Sequence, residues 1–190
     1  ASLGDQVQQL LSSGARVFHF DVGDGHFVPP VTIGPVVLRS IAPMIHAAGG
    51  RIDCHLMVDN PAHHFQELAE SGGDSVTFHV EAVEDVPNVI AQAREHGLEV
   101  GVAFRPGTDV EVAAEAANQG ADLCLCMSIV PGYSGQAFLE EAYERVERLR
   151  AAPARSLPFG VGRFRKLAPT PTSDFSGRGT DLSERRDTGS

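Results

Sequence analysis

The sequence predicts an α/β fold with a parallel sheet, and two regularities of residues 1–155 support this prediction. Short runs of branched and aromatic residues alternate with amphipathic segments of helical period. The last three strand-like runs recur about every 24 residues. Strict alternation with short links implies right-handed helical crossovers between parallel strands. A barrel and a doubly wound open sheet both satisfy this pattern.

The helices are predicted from their capping residues and apolar spacing. The first has Ser2 and Asp5 placed as a capping box and stops at Gly14. The next has Asn60 as its cap and Pro61 at its first position. In chain order, the predicted helical segments are "ASLGDQVQQLLSSGAR", "DNPAHHFQELAESGGD", "EDVPNVIAQAREHG", "GTDVEVAAEAANQG" and "GQAFLEEAYERVERLRAA".

Between these helices lie the predicted strands "RVFHF", "RIDCHLM", "SVTFHV", "EVGVAF" and "LCLCMS". Polar residues gather where these strands end, as they do at the catalytic face of a (β/α)8 barrel. This placement favours the barrel over the open sheet. The strand-end residues are His19, Asp21, His55, His79, Glu81, Arg105 and Ser128.

Length and composition fit one medium domain with a hydrophobic core. The chain has 190 residues, of which 42% are hydrophobic and 21% charged. Its net charge of -10 argues against nucleic acid and acidic membranes as partners. Without a membrane-length apolar run or a signal peptide, a cytoplasmic location is expected. The three cysteines lie in strand-like runs and are expected to be buried thiols.

Two of the strands carry a candidate metal site. His19 and Asp21 are two residues apart and so share one face of their strand, as do Asp53, His55 and Met57 on the next. Two imidazoles and a carboxylate suit Zn, Fe, Mn or Co. The alternative is that these polar residues only form hydrogen bonds to nearby loops.

The segment "SIVPGYSGQAF", residues 128–138, is a candidate phosphate site. It leaves a strand, turns through Pro131, Gly132 and Gly135, and is predicted to enter a helix near Gln136. Glycine lets backbone amides approach an anion, and a helix N-terminus favours negative charge. A tight strand-to-helix turn without a ligand is the alternative.

Four segments in this order, "HFDVGDGHFVPPVTIGP", "DCHLMVDNP", "TFHVEA" and "MSIVPGYSGQAF", closely resemble the ribulose-phosphate 3-epimerases of the pentose phosphate pathway. The resemblance covers residues 1 to about 155. It implies a (β/α)8 TIM barrel of the ribulose-phosphate binding type, with strands 2 to 6 recognisable here. It also implies metal-dependent epimerisation of D-ribulose 5-phosphate to D-xylulose 5-phosphate at carbon 3, by proton abstraction through an enediolate.

The resemblance further implies roles for individual residues. His19, Asp21 and His55 would hold one divalent metal ion (Zn, Fe, Mn or Co), and Asp21 would also be a catalytic acid/base. A phosphorylated pentulose is the implied partner, and a homo-oligomer is left open. The implied substrate-binding residues are His55, Met57, Met127, Gly132, Tyr133, Ser134 and Gly135.

The sequence also departs from the family pattern. The family has Met where this chain has Gly23, Asn where it has Pro30, and Gly-Phe-Gly-Gly where it has residues 132–135. After residue 158 the chain reads "LPFGVGRFRKLAP" in place of a Val-Asp-Gly-Gly motif, whose Asp would be the fourth metal ligand and second acid/base. The family's first and eighth strands are not recognised either.

We therefore expect residues 1–158 to form a partial barrel catalytic domain, and residues 159–190 to be an unrelated, disordered basic tail. Little or no epimerase activity is expected from this polypeptide. The alternatives are a non-catalytic metal- or phosphosugar-binding fragment, a related epimerase of a hexulose 6-phosphate, and a truncated or misread gene product. An RNA-binding arm is the alternative for the tail.

Overall fold

The computed structural model describes residues 2–133 and 135–152. Within them, five parallel strands form one sheet in the order β1-β2-β3-β4-β5. A doubly wound sheet reverses its strand order at a switch point, whereas this order simply follows the chain, as in an arc of a (β/α)8 barrel. The barrel prediction is confirmed for this part of the chain. The strands are β1 Val17–Gly23, β2 Arg51–Met57, β3 Ser75–His79, β4 Glu99–Phe104 and β5 Leu123–Cys126.

A helix follows every strand on the outside of this arc, and one more precedes β1. Two short 3-10 turns, Pro61–His64 and Val80–Ala82, follow β2 and β3. Among the described residues no helix is both long and apolar enough to cross a membrane. The α-helices are α1 Leu3–Ser12, α2 Pro35–Ala47, α3 Phe65–Glu70, α4 Val86–Glu95, α5 Val110–Asn118 and α6 Glu141–Ala151.

Helix α2 was not predicted from the sequence. Pro43 lies inside it, and Val36, Val37 and Ile41 have branched side chains, so its intrinsic helix propensity is low. Tertiary packing overrides this preference, because Leu38, Ile41, Ala42 and Ile45 are all buried against the sheet. The predicted capping box of α1 is wrong: Ser2 is the N-cap residue, but its side chain makes no capping hydrogen bond.

The two faces of the sheet differ sharply in polarity. On the outer face, alternate residues such as Ile52, Cys54 and Leu56 belong to the buried apolar cluster that the helices cover. On the inner face, the register places His19 beside Asp53 and Asp21 beside His55. The core therefore lies between sheet and helices, and the inner face is free to carry polar chemistry.

Carboxylates fix the strands at the end opposite the candidate site. Asp74 accepts a hydrogen bond from the backbone N–H of Ile52 at 2.7 Å, and Asp122 accepts one from Val100 at 2.9 Å. Each carboxylate precedes one strand and binds the start of its neighbour, so it fixes the stagger between the two. This stagger is what brings residues of different strands together at the other end.

The predicted buried thiols are confirmed for Cys54 and Cys124, whereas Cys126 is only partly buried. Burial raises the pKa of both buried thiols to about 12. They are therefore neutral and unreactive near neutral pH.

Candidate metal centre

The structure brings together the three residues that the resemblance singled out as metal ligands. His19 Nε2 lies 3.5 Å from Asp21 Oδ1, and His55 Nδ1 lies 2.9 Å from the same oxygen. One donor atom from each residue lies within 4.8 Å of the other two. These atoms converge because Asp21 and His55 are register partners on the inner face of neighbouring strands. The donor set, two imidazole nitrogens and a carboxylate oxygen, fits a divalent metal such as Zn, Fe, Mn or Co.

A second carboxylate orients the first of these histidines. Asp53 Oδ2 lies 2.9 Å from His19 Nδ1, so this nitrogen donates its proton to Asp53 and Nε2 is left to face Asp21. Asp53 in turn accepts hydrogen bonds from the hydroxyls of Ser75 at 2.7 Å and Thr77 at 3.0 Å. The sequence placed Asp53 on the correct face but assigned it no role.

The pKa values follow from these contacts. Burial acts to lower the pKa of His19, but the hydrogen bond to Asp53 and the two nearby carboxylate charges outweigh it and raise the pKa. The His55 ring, 2.9 Å away, lowers the pKa of Asp21 against the opposing effect of burial. Burial acts to raise the pKa of Asp53, but its bonds with His19, Ser75 and Thr77 lower it overall. Both carboxylates are therefore ionised at neutral pH.

A chain of polar contacts continues from His55 toward β4. His55 Nε2 lies 2.9 Å from His79 Nε2, and both side chains are buried. His79 Nδ1 lies 3.2 Å from Glu81 Oε2. The other oxygen of Glu81 accepts the backbone N–H of Arg105 at 2.8 Å and the hydroxyl of Thr108. The sequence marked His79 and Glu81 only as strand-end polar residues.

These contacts also determine the charge of His79 and Glu81. Burial lowers the pKa of His79, which favours the neutral ring. Burial acts to raise the pKa of Glu81, but the hydrogen bonds from His79, Thr108 and the Arg105 backbone outweigh it and lower the pKa to about 2. Glu81 is therefore a permanent acceptor near neutral pH.

The loop after β1 is held by the side chain of Asp24. Asp24 accepts hydrogen bonds from the backbone of His26 and Phe27, both at 2.8 Å, and of Asp59 at 2.9 Å. It therefore shapes the turn and ties it to the loop after β2. Gly23 is required here, because a Cβ on it would lie 2.8 Å from the carbonyl oxygen of Pro30. Gly23 and Pro30, two of the positions at which the sequence differs from the family pattern, are thus in direct contact.

The loop after β5 differs from its prediction in one respect. Residues 136–139 are not helical and α6 begins only at Glu141, so the predicted helix entry near Gln136 is wrong. The Gln136 side chain instead donates to the carbonyls of Val130 and Tyr133, at 2.7 and 2.8 Å, and closes the loop on itself. Helix α6 therefore begins five residues after Gln136.

Two glycines of this loop adopt a backbone conformation that other residues rarely adopt. Gly132 and Gly135 have φ of 115° and 81°, a region that favours glycine. A Cβ on Gly132 would lie 3.1 Å from the Val28 side chain, so the loop packs closely on the loop after β1. Ser134 and residues 159–190, for which predictions were made, lie outside the described residues.

Met57 and Met127, the implied apolar substrate contacts, both lie at the site end of the sheet. Met57 is the last residue of β2 and is buried, at 4% exposure. Met127 directly follows β5, and its N–H donates to the carbonyl of Phe104 at 3.1 Å.

A distant likeness to a solved structure supports the fold alone. The phospho-2-dehydro-3-deoxyheptonate aldolase of Thermotoga maritima matches with a TM-score of 0.55 at 14% identity, over 78% of this chain and 44% of that one.

Sequence comparisons identify the family. The Candida glabrata ribulose-phosphate 3-epimerase is 35% identical over 163 residues, which cover 79% of this chain and 66% of that protein. The rice cytoplasmic isoform is 39% identical over 154 residues (79% and 66%), and the Escherichia coli K12 enzyme is 35% identical over 150 (79% and 65%). The chain thus spans about two thirds of the length of these relatives. The family model described as "Ribulose-phosphate 3 epimerase family" matches residues 1–158, and the chain belongs to that family.

Proposed function

We propose that this chain epimerises D-ribulose 5-phosphate and D-xylulose 5-phosphate at carbon 3, with one divalent metal ion held by His19, Asp21 and His55. The observation that carries the proposal is the convergence of their three donor atoms within 4.8 Å. Membership of the epimerase family supports the substrate class and the reaction.

The chemistry requires that a weakly acidic proton beside a carbonyl be removed. A divalent cation supplies a positive charge that stabilises the enediolate formed by its loss. In this proposal Asp21 acts on one face of carbon 3, where it removes the proton from one epimer and, in the reverse reaction, donates a proton to form that epimer. Two facts support the assignment: the pKa of Asp21 is lowered, so it is ionised at neutral pH, and its side chain is 57% exposed and so accessible to a substrate.

Other residues are proposed to bind the substrate. His55 lies beside Asp21, and Met57 and Met127 would pack against the reacting carbons. Residues 132–135 (Gly132, Tyr133, Ser134 and Gly135) would bind the phosphate through their backbone N–H groups, and the positive φ of the two glycines supports a turn of this kind.

We also propose that turnover by this chain is reduced. Inversion needs a group on each side of carbon 3, one that removes the proton and one that returns it. Asp21 supplies one, while residues 159–190 contain no Val-Asp-Gly-Gly segment that would supply the other. Loss of one acid/base group lowers the rate by about 10²- to 10⁴-fold. A cytoplasmic location, like that of the rice cytoplasmic isoform, is part of the proposal.

Formation of xylulose 5-phosphate in a coupled assay tests the proposal, with Zn, Mn, Fe or Co added to the chelator-treated chain. Slow turnover that depends on metal and is lost in Asp21→Asn is expected. Turnover equal to that of a relative such as the Escherichia coli enzyme would contradict the reduced rate, and turnover without metal would contradict the metal site.

A non-catalytic metal-binding role is the second candidate. The observation that favours it is that the three-residue donor set is intact although the second acid/base motif is not found in the sequence. Stoichiometric metal binding by calorimetry, without any turnover, would select it.

A further inference from the structure

Four side chains form a line with three gaps between them, each of hydrogen-bond length. The gaps join Asp21 Oδ1 to His55 Nδ1 at 2.9 Å, His55 Nε2 to His79 Nε2 at 2.9 Å, and His79 Nδ1 to Glu81 Oε2 at 3.2 Å. Each gap needs a proton or another cation, because two facing lone pairs repel each other. An imidazole that leaves one nitrogen free to accept a proton or bind a metal carries a single N–H, so the two rings supply two protons for three gaps.

The burial of the line determines which gap lacks a proton. The gap between the two rings is enclosed, with His55 at 2% and His79 at 0% exposure, so one proton must lie there. The other proton lies at one end of the line. Glu81 is only 21% exposed, whereas Asp21 is 57% exposed. Facing lone pairs cost far more at the buried Glu81 end, because water or a cation can reach only the Asp21 end.

We propose that Glu81 and His79 are positioning residues for the metal site. Glu81 accepts the proton on His79 Nδ1, and His79 Nε2 therefore accepts the proton on His55 Nε2. The lone pair of His55 Nδ1 is then directed toward Asp21, ready to bind a divalent cation. This inference rests on the proposed metal site. Both histidine ligands are thus oriented by a carboxylate, His19 directly by Asp53 and His55 through a second ring.

The substitution Glu81→Gln should reverse the direction of the hydrogen bonds along this line of side chains. The Arg105 backbone N–H can only donate, so the glutamine oxygen must stay at the Oε1 position, 2.8 Å away. The glutamine amide nitrogen then faces His79 Nδ1 and donates to it. His79 must carry its proton on Nε2 and donate to His55, and the proton of His55 moves to Nδ1, where the metal would bind.

Calorimetric titration of the full chain with Zn²⁺ measures the consequence. Glu81→Gln is expected to bind Zn²⁺ about 10- to 100-fold more weakly than the wild type, as for other residues that orient a ligand. Glu111→Gln is the matched control, because it removes the same charge from an exposed ion pair with Arg148, away from the site. Its Zn²⁺ affinity should equal that of the wild type.

Nitrogen-15 NMR of the histidine rings reads the tautomers directly, which a merely structural role for Glu81 would not change. The proton of His79 is expected on Nδ1 in the zinc-loaded wild type and on Nε2 in zinc-free Glu81→Gln. A wild-type proton on Nε2 would overturn the inference even if the variant did not fold. Equal Zn²⁺ affinity of wild type and Glu81→Gln would overturn the inference alone. Failure of the wild type to bind Zn²⁺ would overturn the metal site, and the inference with it.

Discussion

Replacing Asp53 by alanine should destabilise the fold, because Asp53 is the acceptor for three donors. The hydroxyl of Thr77 is 0% exposed, and a buried donor left without a partner costs about 1–3 kcal/mol. The half-buried hydroxyl of Ser75 also loses its bond to a charged acceptor. His19 is 43% exposed, so water can replace its lost partner. Together these losses predict that the free energy of unfolding falls by about 2–4 kcal/mol.

Urea denaturation followed by circular dichroism measures this change through the transition midpoint. Asp53→Asn is the matched control, since its side-chain oxygen still accepts from Ser75 and Thr77, and it should cost about half as much. A free energy of unfolding for Asp53→Ala within about 0.5 kcal/mol of the wild-type value would refute the reasoning, because surface substitutions have effects of that size.

Three further predictions concern catalysis, packing and pH. Asp21→Asn should lower epimerase turnover by about 10²- to 10⁴-fold, since it removes the acid/base, while leaving the urea midpoint nearly unchanged; unchanged turnover in the coupled assay would contradict it. Gly101→Ala should lower the free energy of unfolding, measured in urea, by about 1–3 kcal/mol, because its Cβ would collide with Thr77 Oγ1. Gly34→Ala should lower it far less, since a Cβ there would meet nothing within 4 Å. Equal losses of stability in the two variants would contradict the collision. The pKa of Glu81 is lowered from 4.5 to about 2, so its contribution to stability is present above pH 4.5 and is lost as the pH falls toward 2. As the pH falls across this range, the melting temperature should therefore fall less steeply in Glu81→Gln than in Glu111→Gln. The same dependence of melting temperature on pH in both variants would contradict the lowered pKa of Glu81.

The sequence was enough to predict the strands and the shared face of His19 and Asp21, because the period of two in a strand is a local property. It could not predict α2, since Pro43 and branched residues oppose a helix locally and only burial against the sheet forms one. The predicted helix entry at Gln136 failed for a related reason. The Gln136 side chain donates to the carbonyls of Val130 and Tyr133, and these contacts cannot be predicted from local sequence patterns.

The roles of Asp53, His79 and Glu81 depend on register between strands, which the sequence leaves open. A slip of one residue between β1 and β2 would move His55 to the face opposite Asp21. At the far end of the sheet, the contacts of Asp74 and Asp122 help to fix the register of two other strand pairs, β2 with β3 and β4 with β5. Strand spacing alone had suggested a metal site on these two strands, and the resemblance to a family of known fold then gave His19, Asp21 and His55 their roles as ligands.

Hydrogen exchange at carbon 3 tests the central claim, that Asp21 beside a bound metal removes the proton, even where a second acid/base is lacking. Each pentulose phosphate is incubated in D₂O with the zinc-loaded chain and followed by proton NMR. One of the two epimers should exchange its carbon-3 hydrogen faster than it is converted to the other, and both the chelator and Asp21→Asn should abolish the exchange. Exchange that survives Asp21→Asn, or its absence from both epimers in the zinc-loaded wild type, would contradict the account.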